Sequence, residues 1–214
     1  MFLQVVLGRE RGRVYTLEGG SHIVGRGSQS DVVLVSEVVS RSHARITVNG
    51  DRASVTDLGS KSGTYVNGAR VLGDGAFSTK DVILVGVVAL HAHLQPPPEL
   101  PPEALPGRNG SLVAVPPGTL LRYLAVLRRS CLVALTSPPL QGTIAVTHGH
   151  IREVLVGGRK TRDPIQALTA ILRWRGTFDL DRADDVGGAL LLGLDSVLPA
   201  VGSASRAAAG SARR

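Results

Sequence analysis

Three positions in the first third of the chain carry side chains suited to binding an anion. Arg26 follows a glycine at the end of a β-branched run, Ser40 precedes another such run, and Lys61 lies in a turn-rich segment. A guanidinium offers a planar fork of donors, a serine hydroxyl offers a single donor, and an ammonium adds a point charge. Donors on loops that connect strands can converge on one point. The residue types therefore suit a tetrahedral oxyanion such as phosphate.

The neighbouring turns add backbone groups to this set. The N–H groups around Arg41 and Ser62 can contribute neutral donors, as they do in anion-binding nests of the main chain. His43 lies close to these turns, and we expect it to be a hydrogen-bonded structural histidine rather than a ligand. Asn67-Gly68 is typical of a two-residue hairpin turn.

The segments that must position these residues are short and rich in β-branched side chains. Residues 1–95 contain a series of such runs, and turn residues, including two Asn-Gly pairs, separate them. No sustained helical period interrupts the series. Many short strands at close spacing predict an all-β sandwich or barrel.

Four features in order resemble the forkhead-associated (FHA) family over roughly residues 1–95. They are Gly25-Arg26, the segment Ser40-Arg41-Ser42-His43, the loop Gly59-Ser60-Lys61-Ser62-Gly63-Thr64, and Asn67-Gly68. The resemblance implies an FHA-type β-sandwich that binds phosphothreonine peptides and catalyses no reaction. The expected partner is a phosphothreonine protein made by a Ser/Thr kinase.

The resemblance also implies roles for individual residues. Those that align with Arg26, Ser40 and Lys61 approach the phosphate in the family, and Arg41 and Ser62 complete the expected phosphopeptide-binding set. Ser62 stands where the family commonly has an asparagine that holds the peptide backbone. Five further residues are expected to support the binding loops: Gly25, His43, Gly63, Asn67 and Gly68.

The composition changes after residue 95. Residues 96–111 contain six prolines, which predicts an extended linker with little capacity to bury a shared interface. Residues 112–198 predict a small α+β domain with helices over Thr119–Arg129 and Pro164–Trp174 and a last helix over the segment ALLLGLDSVL. Small and charged residues at 199–214 predict a disordered tail.

The second domain resembles the DUF4388, or PATAN-like, family over roughly residues 116–182. The similarity rests on a leucine-rich first helix, Gly142-Thr143-Ile144, the turn His148-Gly149-His150-Ile151, and Trp174-Arg175-Gly176-Thr177-Phe178. Bacterial signalling proteins carry this family beside FHA or receiver domains. The resemblance implies contact with a second protein partner through residues 112–198 and no assigned site.

Composition and charge restrict the remaining possibilities. The net charge is +7, but the basic residues are spread out and form no dense block, which disfavours nucleic acid as a partner. The single cysteine, Cys131, fits a reducing compartment. The sequence shows no apolar run of membrane-spanning length and no signal-peptide pattern. We therefore expect a cytoplasmic protein without a membrane segment.

Two His-x-His pairs, at 91/93 and 148/150, could face one way on a strand and hold a metal. No third ligand is adjacent in sequence, so we expect no metal. No Ser/His/Asp order, paired carboxylates or nucleotide-binding loop stands out, so we expect no cofactor and no enzyme. Three functional hypotheses remain open: a phosphothreonine-dependent signalling adaptor, a phosphate-independent scaffold component of a larger assembly, and a nucleic-acid-binding regulator.

Overall fold

The computed structural model describes residues 1–100, 108–182 and 192–198 of the 214-residue chain. These residues form three β-sheets and two α-helices. The tail expected at 199–214 lies outside the described residues, as does the first part of the expected last helix.

The first sheet has six strands in the order β2-β1-β11-β10-β7-β8. Its strands are β1 (Phe2–Leu7), β2 (Val14–Thr16), β7 (Thr64–Val66), β8 (Ala69–Arg70), β10 (Val82–Val85) and β11 (Val88–His93). Every pairing in this sheet is antiparallel.

The second sheet has five strands in the order β4-β3-β5-β6-β9. Its strands are β3 (Gly20–Gly25), β4 (Val32–Val33), β5 (Ala44–Asn49), β6 (Arg52–Asp57) and β9 (Asp74–Phe77). Strand β5 alternates strictly between buried and exposed residues, as expected for a strand with one face on a core and the other in water.

The two sheets pack face to face over an apolar core. Large, fully buried members of this core are Leu3, Leu34, Ile46, Ile83 and Leu90. The expected all-β sandwich is thus confirmed for the first part of the chain.

The third sheet belongs to the second half of the chain and has the order β12-β17-β13-β14-β15-β16. Its strands are β12 (Asn109–Ser111), β13 (Cys131–Ser137), β14 (Leu140–Thr147), β15 (His150–Val156), β16 (Arg159–Lys160) and β17 (Thr177–Arg182). Two helices accompany it, α1 (Pro117–Val126) and α2 (Pro164–Ile171). Asp163 caps α2, because its side chain accepts N–H bonds from Ile165 and Gln166.

Some predicted boundaries in the second half differ from the structure. Helix α1 begins and ends earlier than expected, and α2 ends at Ile171 rather than Trp174. The last helix is reduced, in its described part, to a 3-10 turn at Leu194–Ser196. The end of the expected linker forms β12, because its backbone pairs with β17.

The first sheet is covered on both faces. Ile83 and Val85 point into the sandwich core, whereas Val82 and Leu84 belong to the same apolar cluster as Leu120. Val6, Leu7, Tyr65 and Ala89 join that cluster from the first half. The expectation that the two halves bury little shared interface is therefore wrong.

Arg122 of α1 fastens this interface. Its side chain is 8% exposed, and its Nε donates to the carbonyl oxygen of Gly68 at 3.0 Å. The guanidinium lies 4.6 Å from the centre of the Tyr65 ring and pairs with the Asp195 carboxylate at 2.7 Å. The cation is thus fully engaged, as a buried charge requires.

Candidate functional site

Three loops meet at one end of the sandwich, and we call them the site loops: residues 25–27, 36–43 and 59–63. Gly25 ends β3 against the backbone of the second loop. A Cβ on Gly25 would lie 2.1 Å from the carbonyl oxygen of Arg41, so no larger residue fits. The N–H of Arg26 donates to the carbonyl oxygen of Ser40, and the N–H of Gly27 donates to the carbonyl oxygen of Arg41, each at 3.0 Å. These bonds bring Arg26 next to Ser40.

His43 joins the second and third site loops from below. It is fully buried, and its Nδ1 accepts the N–H of Ser40 at 3.0 Å. Its Nε2 lies 3.1 Å from the carbonyl oxygen of Gly63. Because Nδ1 accepts, Nε2 carries the proton and donates to Gly63. Burial lowers the pKa of His43, which favours this neutral form, and the geometry agrees with its expected supporting position.

Asp57 organises the third site loop, and the sequence analysis missed it. One carboxylate oxygen accepts the N–H groups of Gly59 and Ser60, and the other accepts the hydroxyls of Ser60 and Thr64. Burial alone would raise the pKa of Asp57, but the hydrogen bonds from Thr64 and Ser60 outweigh it and hold that pKa below its usual value. An aspartate two residues before a glycine in a turn is the signal that could have identified it.

The site loops surround a shallow depression of about 240 Å³. Four of the five predicted binding residues line it, together with a short stretch of the second loop: Arg26, Ser40, Arg41, Lys61, and Glu37 to Val39. Within the described part of the chain, none of the three cations forms an ion pair. Three cations and the carboxylate of Glu37 therefore face this depression. The positive charge of Arg26, Arg41 and Lys61 is available to an anion.

The hydroxyl of Ser40 is oriented by the third loop. Its oxygen accepts the N–H of Lys61 at 3.3 Å, and this bond leaves the hydroxyl hydrogen available to a ligand. The carbonyl oxygen of Arg41 accepts from Gly27 and from the Ser30 hydroxyl, which fixes the backbone on which the Arg41 side chain is carried.

Ser62 does not line the depression itself but lines the larger cavity beside it, so its expected contact with the peptide stays a prediction. Its hydroxyl donates to the carbonyl oxygen of Val38 at 2.6 Å and so ties the third loop to the second. A serine side chain is short and is satisfied locally, whereas a longer amide could extend outward. Gly63 follows with a φ of 81°, a conformation that glycine adopts without strain.

Asn67-Gly68 forms the hairpin turn between β7 and β8, as predicted. Asn67 has a φ of 51° and Gly68 a φ of 86°. The Asn67 side chain donates to Asp81 at 2.7 Å and accepts from the N–H of Val82 at 3.0 Å. The turn lies away from the depression, at the opposite end of the three-residue strand β7.

The two His-x-His pairs differ in their surroundings. The rings of His91 and His93 lie 4.4 Å apart on β11, and burial lowers the pKa of both. His148 has a φ of 50° and forms the turn between β14 and β15.

In the described ranges no helix is both long and apolar enough to cross a bilayer.

Residues 22–86 match the family profile of the FHA domain, so an FHA domain is present in this part of the chain. The match contains the site loops and the Asn-Gly turn. The similarity of the second half to the DUF4388 family stays a prediction.

Two curated relatives are similar to the same region. The FHA domain-containing protein FhaA of Mycobacterium tuberculosis is 41% identical over 88 residues, which cover 37% of this chain and 16% of that protein. The oxoglutarate dehydrogenase inhibitor of Corynebacterium jeikeium is 42% identical over 65 residues, covering 30% and 45%. The chain thus spans less than half the length of these relatives.

Among solved structures, one from a study of phosphothreonine-dependent FHA domain interactions is 35% identical. The similar region covers 44% of this chain and 96% of that one, with a TM-score of 0.40.

Proposed function

We propose that the chain is a signalling adaptor whose FHA domain binds phosphothreonine in partner proteins. Arg26, Ser40 and Lys61 bind the phosphate, and Arg41 adds charge at the rim. The second half covers the first sheet and offers a surface for a further protein partner.

One observation carries this proposal. Three cations without ionic partners among the described residues face the same depression as an oriented serine hydroxyl. Like charges in such a cluster repel one another, and a phosphate dianion would relieve that repulsion while accepting several charge-assisted hydrogen bonds. His43 and Asp57 hold the loops in place before a ligand arrives, which reduces the entropy lost on binding.

A phosphate-independent scaffold is the second candidate, and one observation favours it. Glu37 lines the same depression as the cations, and its carboxylate would oppose a bound phosphate. An unphosphorylated basic segment of a partner would instead find an anionic contact there. The two candidates differ in whether binding requires the phosphoryl group.

The discriminating experiment is binding to an oriented phosphothreonine peptide library, with the same library unphosphorylated as the control. The proposal predicts selection from the phosphorylated library only. Equal capture from both libraries would favour the scaffold, and capture from neither would overturn both candidates for this depression.

A further inference from the structure

A larger groove begins where the depression ends. It has a volume of about 640 Å³ and shares Glu37, Val38 and Lys61 with the depression. The two cavities therefore adjoin at these three residues, and a peptide whose phosphate lies in the depression would extend toward the groove.

The far wall of the groove comes from the second half of the chain. It consists of the end of α1 and the β14–β15 turn, with the 3-10 turn beside them. Arg128, His148 and His150 contribute exposed side chains to this wall. In the regions that the structure describes, none of the three forms an ion pair. Asp195 also lines the groove, but Arg122 already pairs with it.

The parts of this wall are held firmly to one another within the second half of the chain. Gly149 packs so closely on α1 that a Cβ would lie 2.7 Å from the carbonyl oxygen of Ala125. The N–H of Gly149 donates to the carbonyl oxygen of Arg129 at 2.9 Å, and the N–H of His148 donates to the Ser130 hydroxyl at 3.0 Å.

Arg122 ties this wall to the first half of the chain through the Gly68 carbonyl oxygen and the Tyr65 ring. The groove is therefore a built surface and not a gap between independent bodies.

Arg128 and His148 share an unusual backbone conformation. Their φ angles are 51° and 50°, in the left-handed region that favours glycine and asparagine. Arg128 takes the position after a helix end where glycine is the common residue. Both residues place a nitrogen-bearing side chain at the groove despite the cost of this conformation.

We propose that this groove binds the part of the phosphopeptide that flanks the phosphothreonine and selects acidic side chains in it. Arg128 and Lys61 supply the charge, and His148 and His150 supply ring N–H donors. The second half of the chain then acts as a specificity element for the FHA site. This inference rests on the proposed function, because the flanking residues reach the groove only when the phosphate lies in the depression.

The test compares versions of one phosphothreonine peptide selected from the library, measured by fluorescence anisotropy on the full chain. Two versions carry a pair of aspartates on either the amino or the carboxyl side of the phosphothreonine, and a third carries serines there. Partly exposed ion pairs alter affinity by about two- to five-fold each. We therefore expect the full chain to bind one of the two aspartate versions more tightly than the serine version by about this factor. We expect this difference in affinity to become smaller at high salt.

Variants assign the preference to the groove. Arg128→Gly and His148→Asn remove the two side chains and introduce residues that favour the observed backbone, so the double variant should stay folded. It should lose most of the preference for aspartates, because only Lys61 and His150 of the four assigned groups remain. Arg129→Gln is the matched control, since Arg129 is the next residue but lines a different cavity, and it should retain the preference.

The outcomes separate this inference from the proposed function. Binding of phosphorylated peptides without an acidic preference, or an undiminished preference in the double variant, overturns the groove assignment alone. The aspartate versions are also measured after synthesis without the phosphoryl group. If these bind as tightly as the phosphorylated versions, or if no peptide binds, the proposed function is overturned and the inference with it.

Discussion

The site loops and the Asn67–Gly68 turn lie at opposite ends of β7. The site loops are exposed to solvent, whereas the turn is covered by the second half of the chain. The site loops keep Arg26, Arg41 and Lys61 exposed and without ionic partners among the described residues. The turn is covered by α1, and a Cβ on Gly68 would lie 2.3 Å from the carbonyl oxygen of Gly118. One end of the FHA domain is thus accessible to a ligand, whereas the other end packs against the second half of the chain.

Tyr65 connects the two ends. Its hydroxyl donates to the carbonyl oxygen of Ser62 at 3.1 Å, and its ring carries the Arg122 guanidinium. Changes at the site loops should therefore act mainly on binding, whereas changes at the turn should act mainly on stability. The predictions that follow test this division.

The largest effect is expected from Arg26→Ala on phosphopeptide affinity. Loss of a charge-assisted hydrogen bond costs about 1.5–3 kcal/mol. This corresponds to an affinity about 10- to 150-fold weaker. The melting temperature should change little because the Arg26 side chain is exposed. Isothermal titration measures the effect, and Arg52→Ala is the control that should keep full affinity, because Arg52 is an exposed arginine of β6 that does not line the depression.

Gly68→Ala should destabilise the whole chain and leave the site chemistry intact. The left-handed backbone alone costs about 1–2 kcal/mol for a non-glycine residue, and the contact with Gly118 adds to that cost. Gly50→Ala is the matched control, since Gly50 has a φ of 59° but nothing within 4 Å of a Cβ. Thermal unfolding should show one transition for both halves and a larger loss for Gly68→Ala. Equal losses would contradict a tight joint at the turn.

His43→Ala should lower both stability and affinity, because His43 serves the fold and the site together. Its removal leaves the Ser40 N–H and the Gly63 carbonyl unpaired, at a cost of about 1–3 kcal/mol. Calorimetry and titration on the same sample measure the two effects. Wild-type stability with lost binding would instead indicate direct contact with the ligand.

The same histidine gives a pH dependence of stability. Burial lowers the pKa of His43 in the folded state, so the unfolded chain takes up a proton first as the pH falls. Stability should decrease from about pH 6.5 down to the folded pKa, and His43→Gln should reduce that slope. His91 and His93 contribute to the slope that remains, because burial also lowers their pKa values. An unchanged slope in the variant would show that His43 does not titrate in this window.

The smallest effect is expected when phosphoserine replaces phosphothreonine. Val38 and Val39 give the depression an apolar part that suits the threonine methyl. One buried methyl contributes about 0.8 kcal/mol, or about four-fold in affinity. A glutamate in place of the phosphothreonine should hardly bind, because a planar single charge cannot use the converging donors. Equal affinity for all three peptides would mean that the depression responds to negative charge alone.

The sequence predicted the strand-rich sandwich and placed Arg26, Ser40, Arg41 and Lys61 around one depression. Local residue types determine these features. Asp57 was missed because its importance lies in four hydrogen bonds that appear only in the folded loop. The covered outer face of the first sheet was also missed, although the run Val82–Val85 carries a signal for it. A strand without polar alternation is buried on both faces.

The most direct test of the central claim is a heteronuclear NMR titration of the full chain with a selected phosphothreonine peptide. We expect saturable shifts in the backbone amides of residues 26, 40–41 and 61–63, and none of comparable size when the unphosphorylated peptide is added. Equal shifts with both peptides, or shifts that leave the site loops unaffected, would contradict phosphate-dependent binding at this site.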